Sequence, residues 1–400
     1  MFINSIRNRL PVIVALLAAL LVSAVMLLMM NINPLDAYHS MVLGAFGTEN
    51  ATAETLVKAI PILFVATGIC IAFRGGIINV GGEGQMIMGA LAGVSATIVL
   101  KDAAGWIIII GSLIAGFTAG ALYGGLVGVL KAYFNVNEVL STIMLNQVSA
   151  QIMNFLLNGP LLDPAEAGVN KIPKTARIPE AAELPRFFIS LPQSVADLLH
   201  LDHATLFDRT RLHYGLVIAI GCAVITYVLL WRTIVGYRIR AVGYNPAASR
   251  YAGIRVQRYT VLAMLLAGGL AGLAGVVQVL GLQFRLQTDG SATGFTGNAG
   301  FNGIVAALFG GLNPFGAIPA SILFGGLLVG AQKMQRDIGV SASLVTAVNG
   351  IIVLFIVSSQ YFVRRGTRFR ANQDRQPVPV TVPPPIVTSS PSPSSSTPGE

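Results

Sequence analysis

The sequence predicts an all-α polytopic membrane protein with about eight to ten transmembrane or re-entrant helices. Three observations predict it. Of 400 residues, 54% are hydrophobic and only 11% are charged, whereas a water-soluble domain carries about 25% charged residues. Apolar runs recur near 11–30, 59–73, 77–100, 105–131, 137–157, 213–231, 259–281, 303–331 and 343–363, and a helix needs roughly 20 such residues to cross the hydrocarbon. The arginines fall in a few short hydrophilic segments, as membrane topology demands. The net charge of +9 therefore reads as orientation in a bilayer and not as a nucleic-acid footprint. Cys70 and Cys222 both sit in apolar runs, so no disulfide framework is available.

The chain opens "MFINSIRNRLPVIVALLAALLVSAVMLLMM". Arg7 and Arg9 would suit a secretory signal, but the run from Val12 to Met30 is longer than a signal core and no A-x-A-like site follows. An uncleaved first helix starting in the cytoplasm is expected. Residues 1–56 are read as this helix and an outer loop.

Residues 73–85, "FRGGIINVGGEGQ", set an arginine, five glycines, a glutamate and two amides between apolar runs. Asn79 reads as a helix cap before a glycine-loosened first turn. Glu83 then lies where a negative charge offsets the helix dipole. The other reading is costlier. A carboxylate at membrane depth costs roughly 2.5–3.5 kcal/mol and is usually paired or lines a polar path, and interrupted helices flank the route in many transporters. Both readings stand open for Asn79, Glu83 and Gln85; Arg74 reads as an interfacial anchor.

In "NEVLSTIMLNQVSAQIMNFLLNGP" (137–160), Gln147, Gln151, Asn154 and Asn158 recur at helical spacing and share one face. That face is either interhelical hydrogen-bonding glue or a polar wall for a neutral solute. Segment 160–212 mixes six basic with seven acidic residues, which suits the outside. His200 and His203, in "HLDH", read as a solvated loop.

Segment 232–258 holds six arginines and no acid, so it is expected in the cytoplasm. Within it, Asn245 can cap a helix, Pro246 suits the first position and Gly253 the position past the end. A helix so short is marginal alone and needs a docking partner. Ala247, Ala248 and Ala252 keep one side small, and Tyr251 offers an anchor.

A single span over 303–331 would leave the basic stretch "RRGTRFRANQDR" (364–375) outside. Asn313, Pro314 and Pro319 interrupt that run, so it is read as two short or re-entrant pieces meeting at Asn313-Pro314, which returns the end to the cytoplasm. Irregular backbone at that depth needs cover from protein or a wet cavity. Residues 364–400, basic and then rich in proline and serine, are expected to be a disordered cytoplasmic tail.

Four stretches together, "FRGGIINVGGEGQMIMGA", "NEVLSTIMLN…LLNGPLLDP", "RAVGYNPAASRYAGI" and "GFTGNAGFNGIVAALFGGLNPFG", resemble the permeases of ABC importers for nucleosides and simple sugars, within the branched-chain amino acid and ribose permease family. The resemblance covers most of 57–363. It implies a permease domain there, an import pathway along a permease dimer, and a coupling helix at 243–253 that inserts into a cleft on the ATPase. The coupling residues would be Arg240, Gly243, Asn245, Pro246, Ala248, Tyr251, Ala252 and Gly253. Asn298 and Asn302, in the last motif, join the pathway candidates. The resemblance implies an ABC ATPase subunit, a second and different permease, a substrate-delivering lipoprotein of the basic membrane protein type, and contact with membrane lipid. A bacterial inner membrane is the expected location.

The motifs that are missing agree. No G-x-x-x-x-G-K-[ST] loop occurs, so no cofactor is expected on this chain, and ATP with magnesium belongs on the partner ATPase. No H-E-x-x-H motif or nucleophile elbow occurs, so neither a metal site nor an enzyme is expected. The solute should be neutral and polar, nucleosides ranking above simple sugars by resemblance. The alternative is a secondary transporter driven by an ion gradient, with Glu83 and Glu138 titrating.

Overall fold

The chain is an all-α polytopic membrane protein, seen here in a computed structural model. The structure describes residues 17–339 apart from 19, 167–172, 188, 191–204 and 208–209, with isolated helical positions at 347, 350, 351 and 355. The expected span at 343–363 and the tail at 364–400 lie, but for those positions, outside the described residues, as do Arg7 and Arg9.

The helices are α1 (Leu20–Met29), α2 (Pro34–Phe46), α3 (Glu49–Arg74), α4 (Gly82–Val99), α5 (Gly105–Phe134), α6 (Glu138–Asn158), α7 (Gly215–Arg232), α8 (Ile234–Tyr244), α9 (Pro246–Tyr251), α10 (Val256–Gln278), α11 (Ala292–Thr296), α12 (Ala299–Phe309) and α13 (Pro314–Ile338). A π turn, Val279–Gln283, extends α10. Among the described residues five helices are long and apolar enough to cross a membrane: α3, α5, α7, α10 with its π turn, and α13. Two shorter apolar helices, α1 and α12, accompany them. The end of the bundle that carries 232–258 is called the basic end below, and the opposite one the outer end.

Close backbone contact builds the core. Gly116, Gly120, Gly124 and Gly128 recur every fourth residue on α5; the first three face Gly268 and Gly272 of α10, and Gly128 faces Met264 and Val261. A Cβ on Gly120 would fall 2.4 Å from the Gly268 carbonyl oxygen, and one on Gly272 would fall 2.3 Å from that of Gly116. Small residues let helices approach this closely where lipid supplies no hydrophobic drive for association. Helix α4 joins the same seam through Gly89 against Gly272. Helix α3 runs through the centre, buried from Ala59 to Ala72 except at Pro61.

Three sequence expectations need correction. Residues 31–56 are not an open outer loop: α2 and the first turns of α3 occupy them, with Asn33 and Thr48 as caps. The interruption in 303–331 falls as expected at Asn313, whose side chain caps α13, but the second piece is a 25-residue helix and Pro319 does not break it. Pro319 lies inside that helix, where it lacks the amide that would bond to the Phe315 carbonyl, yet the helix continues through it. Asn79 does not cap α4; Gly81 does, without a side-chain bond. Segment 160–212, to which the sequence assigned no role, is ordered in its described residues. It carries a two-residue ribbon, Ile189–Ser190 against Thr205–Leu206, and is laced to the link after α10 by Thr175 N to Leu286 O, Ile178 N to Phe284 O and Leu184 N to Leu280 O.

Candidate functional site

Two interrupted helices meet at one carboxylate. Glu83, in the first turn of α4, is 1% exposed. Its Oε1 accepts a bond from Phe301 N, in the first turn of α12, at 3.2 Å. Its Oε2 is buried and has no hydrogen-bond partner among the described residues. Both helix N-termini thus turn their positive ends toward this group, the arrangement that favours an anion. Gly300 makes the approach possible, because a Cβ there would lie 2.6 Å from Glu83 N and 2.8 Å from its carboxylate carbon. Val65 packs against both Gly82 and Gly303. It stands nine residues before Arg74, about 14 Å along the helix.

The surrounding amides close on one another. Asn79 Nδ2 donates to Gln85 Oε1 at 3.0 Å and Gln85 Nε2 to Asn79 Oδ1 at 3.1 Å, while Gly81 N also donates to Asn79 Oδ1. Asn146 of α6 accepts from Gly84 N at 2.8 Å and donates to Val80 O at 3.0 Å. Asn79, Glu83 and Gln85 therefore form a buried seat that holds irregular backbone together, and Asn79 and Gln85 spend their side chains on each other.

The predicted amide face of α6 is real but turned the other way. Gln147, Gln151 and Asn158 are exposed and Asn154 half-buried, while Thr142, Asn146, Ser149 and Met153 face the bundle. Period alone fixes which residues share a face and not which face is inward. Asn146, the amide that reaches the seat, was hidden among the others. Asn298 is exposed with a left-handed φ of 61°, and Asn302 is half-buried.

At the basic end, Asn245 Oδ1 accepts from Ala248 N at 3.0 Å and Pro246 opens α9. Gly253 follows with φ +77°. Pro246, Ala247, Ala248, Tyr251, Ala252 and Gly253 are exposed, Tyr251 at 94%. Gly243 and Arg240 are not part of that surface. A Cβ on Gly243 would lie 2.1 Å from Arg74 O and 2.6 Å from Gly76 N, so α8 rests directly on the start of the irregular stretch. Arg240 stacks on Trp231 at 5.8 Å, and Arg74 stacks on the same ring at 5.4 Å. Arg74 Nε also donates to Leu312 O in the α12–α13 turn. Sequence reasoning missed Trp231; a lone aromatic at a span end carried no distinguishing signal.

The outer end holds a cavity of about 210 Å³ lined by Lys58, His213, Gln278, Gln283, Phe295 and Gln332, among others. Gln278 bridges to Phe295 O at 2.7 Å. His213 is buried, and its Nδ1 accepts from Gly215 N; burial pushes its imidazole down to about 4. Among the described residues no cluster of three or more His, Cys, Asp or Glu could hold a metal; His200 and His203 lie outside them.

Residues 51–357 match the family described as the permease component of the branched-chain amino acid transport system. The chain belongs to this family. The permease is similar to the guanosine ABC transporter permease protein NupP of Bacillus subtilis, 32% identical over 362 residues, 90% of this chain and 96% of that one. It is 30% identical over 352 residues to the glucose ABC transporter permease protein TsgB13 of Haloferax volcanii, 88% of each chain. It is also 30% identical over 358 residues to the nucleoside ABC transporter permease protein NupB of Lactococcus lactis, 88% of this chain and 92% of that one. No solved structure matches. The protein is thus a permease subunit of an ABC transporter, a transport component and not an enzyme. Such a subunit works with an ATPase and a second permease. The ion-gradient alternative finds no support, and Glu138, one of its two titrating groups, is paired with Lys131 at 2.9 Å.

Proposed function

We propose that this permease imports a nucleoside, with a simple sugar ranking second, across a bacterial inner membrane. ATP and its magnesium ion are held by the partner ATPase, and a lipoprotein delivers the solute from outside. The nucleoside assignment rests on the guanosine and nucleoside transport named for two relatives; the sugar ranking rests on the glucose transport named for the third.

One observation carries the reading of the route. Gln147 and Gln151 are exposed on the subunit's own surface, and Gln147 lies nine residues above Glu138, about 14 Å into the bilayer. Amides at that depth face protein or water, not lipid. A second permease covers this face, and the solute passes between the two subunits along neutral hydrogen-bonding groups.

The drive enters below. When the ATPase pair closes on ATP, it pushes the exposed α9. That push reaches Arg74 and Gly76 through Gly243, and the α12–α13 turn through Arg74. Both routes end at the Glu83 seat, where α4 and α12 either stay together or part. The experiment is uptake by the permease–ATPase complex in vesicles with delivery protein. Gln147→Leu with Gln151→Leu should cut nucleoside uptake at least tenfold while ATPase assembly is retained. Unchanged uptake would place the route elsewhere, and preference for glucose over nucleosides would reverse the ranking.

A further inference from the structure

Beside α9 lies a groove to which the proposed import cycle gives no ligand. It has a volume of about 570 Å³ and is lined by Arg238, Arg255 and Arg258, with Ile234, Tyr237 and Tyr259. All three arginines are exposed, and among the described residues none of them forms an ion pair. Arg238 is held in place, since its Nη1 donates to the Tyr259 hydroxyl at 2.7 Å and its guanidinium lies 5.7 Å from that ring's centre. Its remaining donors are free to serve the groove. No acidic residue occurs anywhere in 232–258. Three fixed positive charges around an open concavity, with no carboxylate among them, call for an anion with several acceptor oxygens.

Position says where that anion comes from. The groove lies between Arg232, the last residue of span α7, and Val256, the first of span α10. Ile234 and Tyr237 on its edge are 70% and 61% exposed. A basic pocket with exposed apolar and aromatic neighbours, set where two spans enter the bilayer, matches a lipid headgroup whose chains lie against the apolar edge. We infer that this groove binds the phosphate of an anionic phospholipid. The inference rests on the proposed orientation, with 232–258 in the cytoplasm. Ala252 and Gly253, the end of the lever, line the same groove, so the lipid would brace the hinge on which α9 turns.

The test is native mass spectrometry of the permease–ATPase complex from mixed micelles of phosphatidylglycerol and phosphatidylcholine. The wild-type complex should retain phosphatidylglycerol preferentially. Arg255→Gln with Arg258→Gln should weaken that retention roughly ten- to thirty-fold, at about 1 kcal/mol per basic residue. Arg250→Gln, on a residue that does not line the groove, should leave it unchanged. Excess inorganic phosphate should not displace the lipid. Equal retention by wild type and the double variant would overturn the assignment. So would an absence of phosphatidylglycerol preference in the wild-type complex, which would give the groove to the bound ATPase, or displacement of the lipid by inorganic phosphate. The assay uses neither solute nor ATP, so failure of the import reading would leave its result legible. Normal uptake with lost lipid preference would fault this site alone.

Discussion

At the scale of single residues, Glu83 and Gly300 define each other. The carboxylate gives α12 an acceptor for its first-turn amide, and the missing side chain lets α12 reach it. Gly300→Ala should force the two helices apart and destabilise the purified complex by about 1–3 kcal/mol, read as a lowered Tm. Glu83→Gln should behave differently. Its amide oxygen can take the same bond from Phe301 N while the unpartnered buried oxygen Oε2 is replaced by a donor. A Tm unchanged or raised in Glu83→Gln, with Glu83→Ala lowered by about 1–3 kcal/mol, would mark the group as a structural tie. A Tm lowered as far in Glu83→Gln would show that the charge itself holds the two helix ends.

His213 carries a prediction of its own. Its imidazole is pushed from 6.5 down to about 4 by burial, beside Gly281, where a Cβ would sit about 2.4 Å from the ring. The unfolded chain therefore binds a proton more readily than the folded one. The stability this neutral ring contributes is present above pH 6.5 and is lost as pH falls toward 4, up to about 3 kcal/mol in all. The Tm of the purified complex should drop across that window, and a His213→Gln variant should show a flatter profile.

At the scale of elements, the proposed lever α9 is six residues held by one cap. Asn245→Ala should cost about 1 kcal/mol of local helix stability. Since α9 has so few contacts with the bundle, the loss should appear as weakened stimulation of the ATPase by the permease and not as a lower Tm. Gly243→Val should act one step inward, driving α8 off Arg74 and Gly76 and uncoupling uptake from ATP hydrolysis. Much of this element was legible in the chain. Asn, Pro and Gly at 245, 246 and 253 each stand where a short helix needs a polar acceptor, a preset φ and a residue tolerant of positive φ. What could not be read was Gly243. Its role depends on a backbone that arrives from 170 residues away, and a glycine at a helix end looks the same whether it faces solvent or another chain segment.

At the scale of the whole molecule, the class, the interruption near Asn313 and the oddity of 73–85 were visible because composition, proline placement and charge act locally. The direction of α6 was not, because a polar face is inward or outward only relative to what it packs on. The glycine row on α5 was plain as a row, but its match to α10 depended on two segments finding each other. What segment 160–212 packs on was hidden for a similar reason. Its polarity suits water, while its backbone is spent on the link between α10 and α11.

That lacing has a mechanical result. Residues 173–178 and 284–288 form a clasp, and the strand they clasp leads within a few residues to α11, α12 and the amide that Glu83 holds. In the proposed orientation, a tug on segment 160–212 from outside and a shove on α9 from the cytosol would then arrive at one hinge from opposite sides.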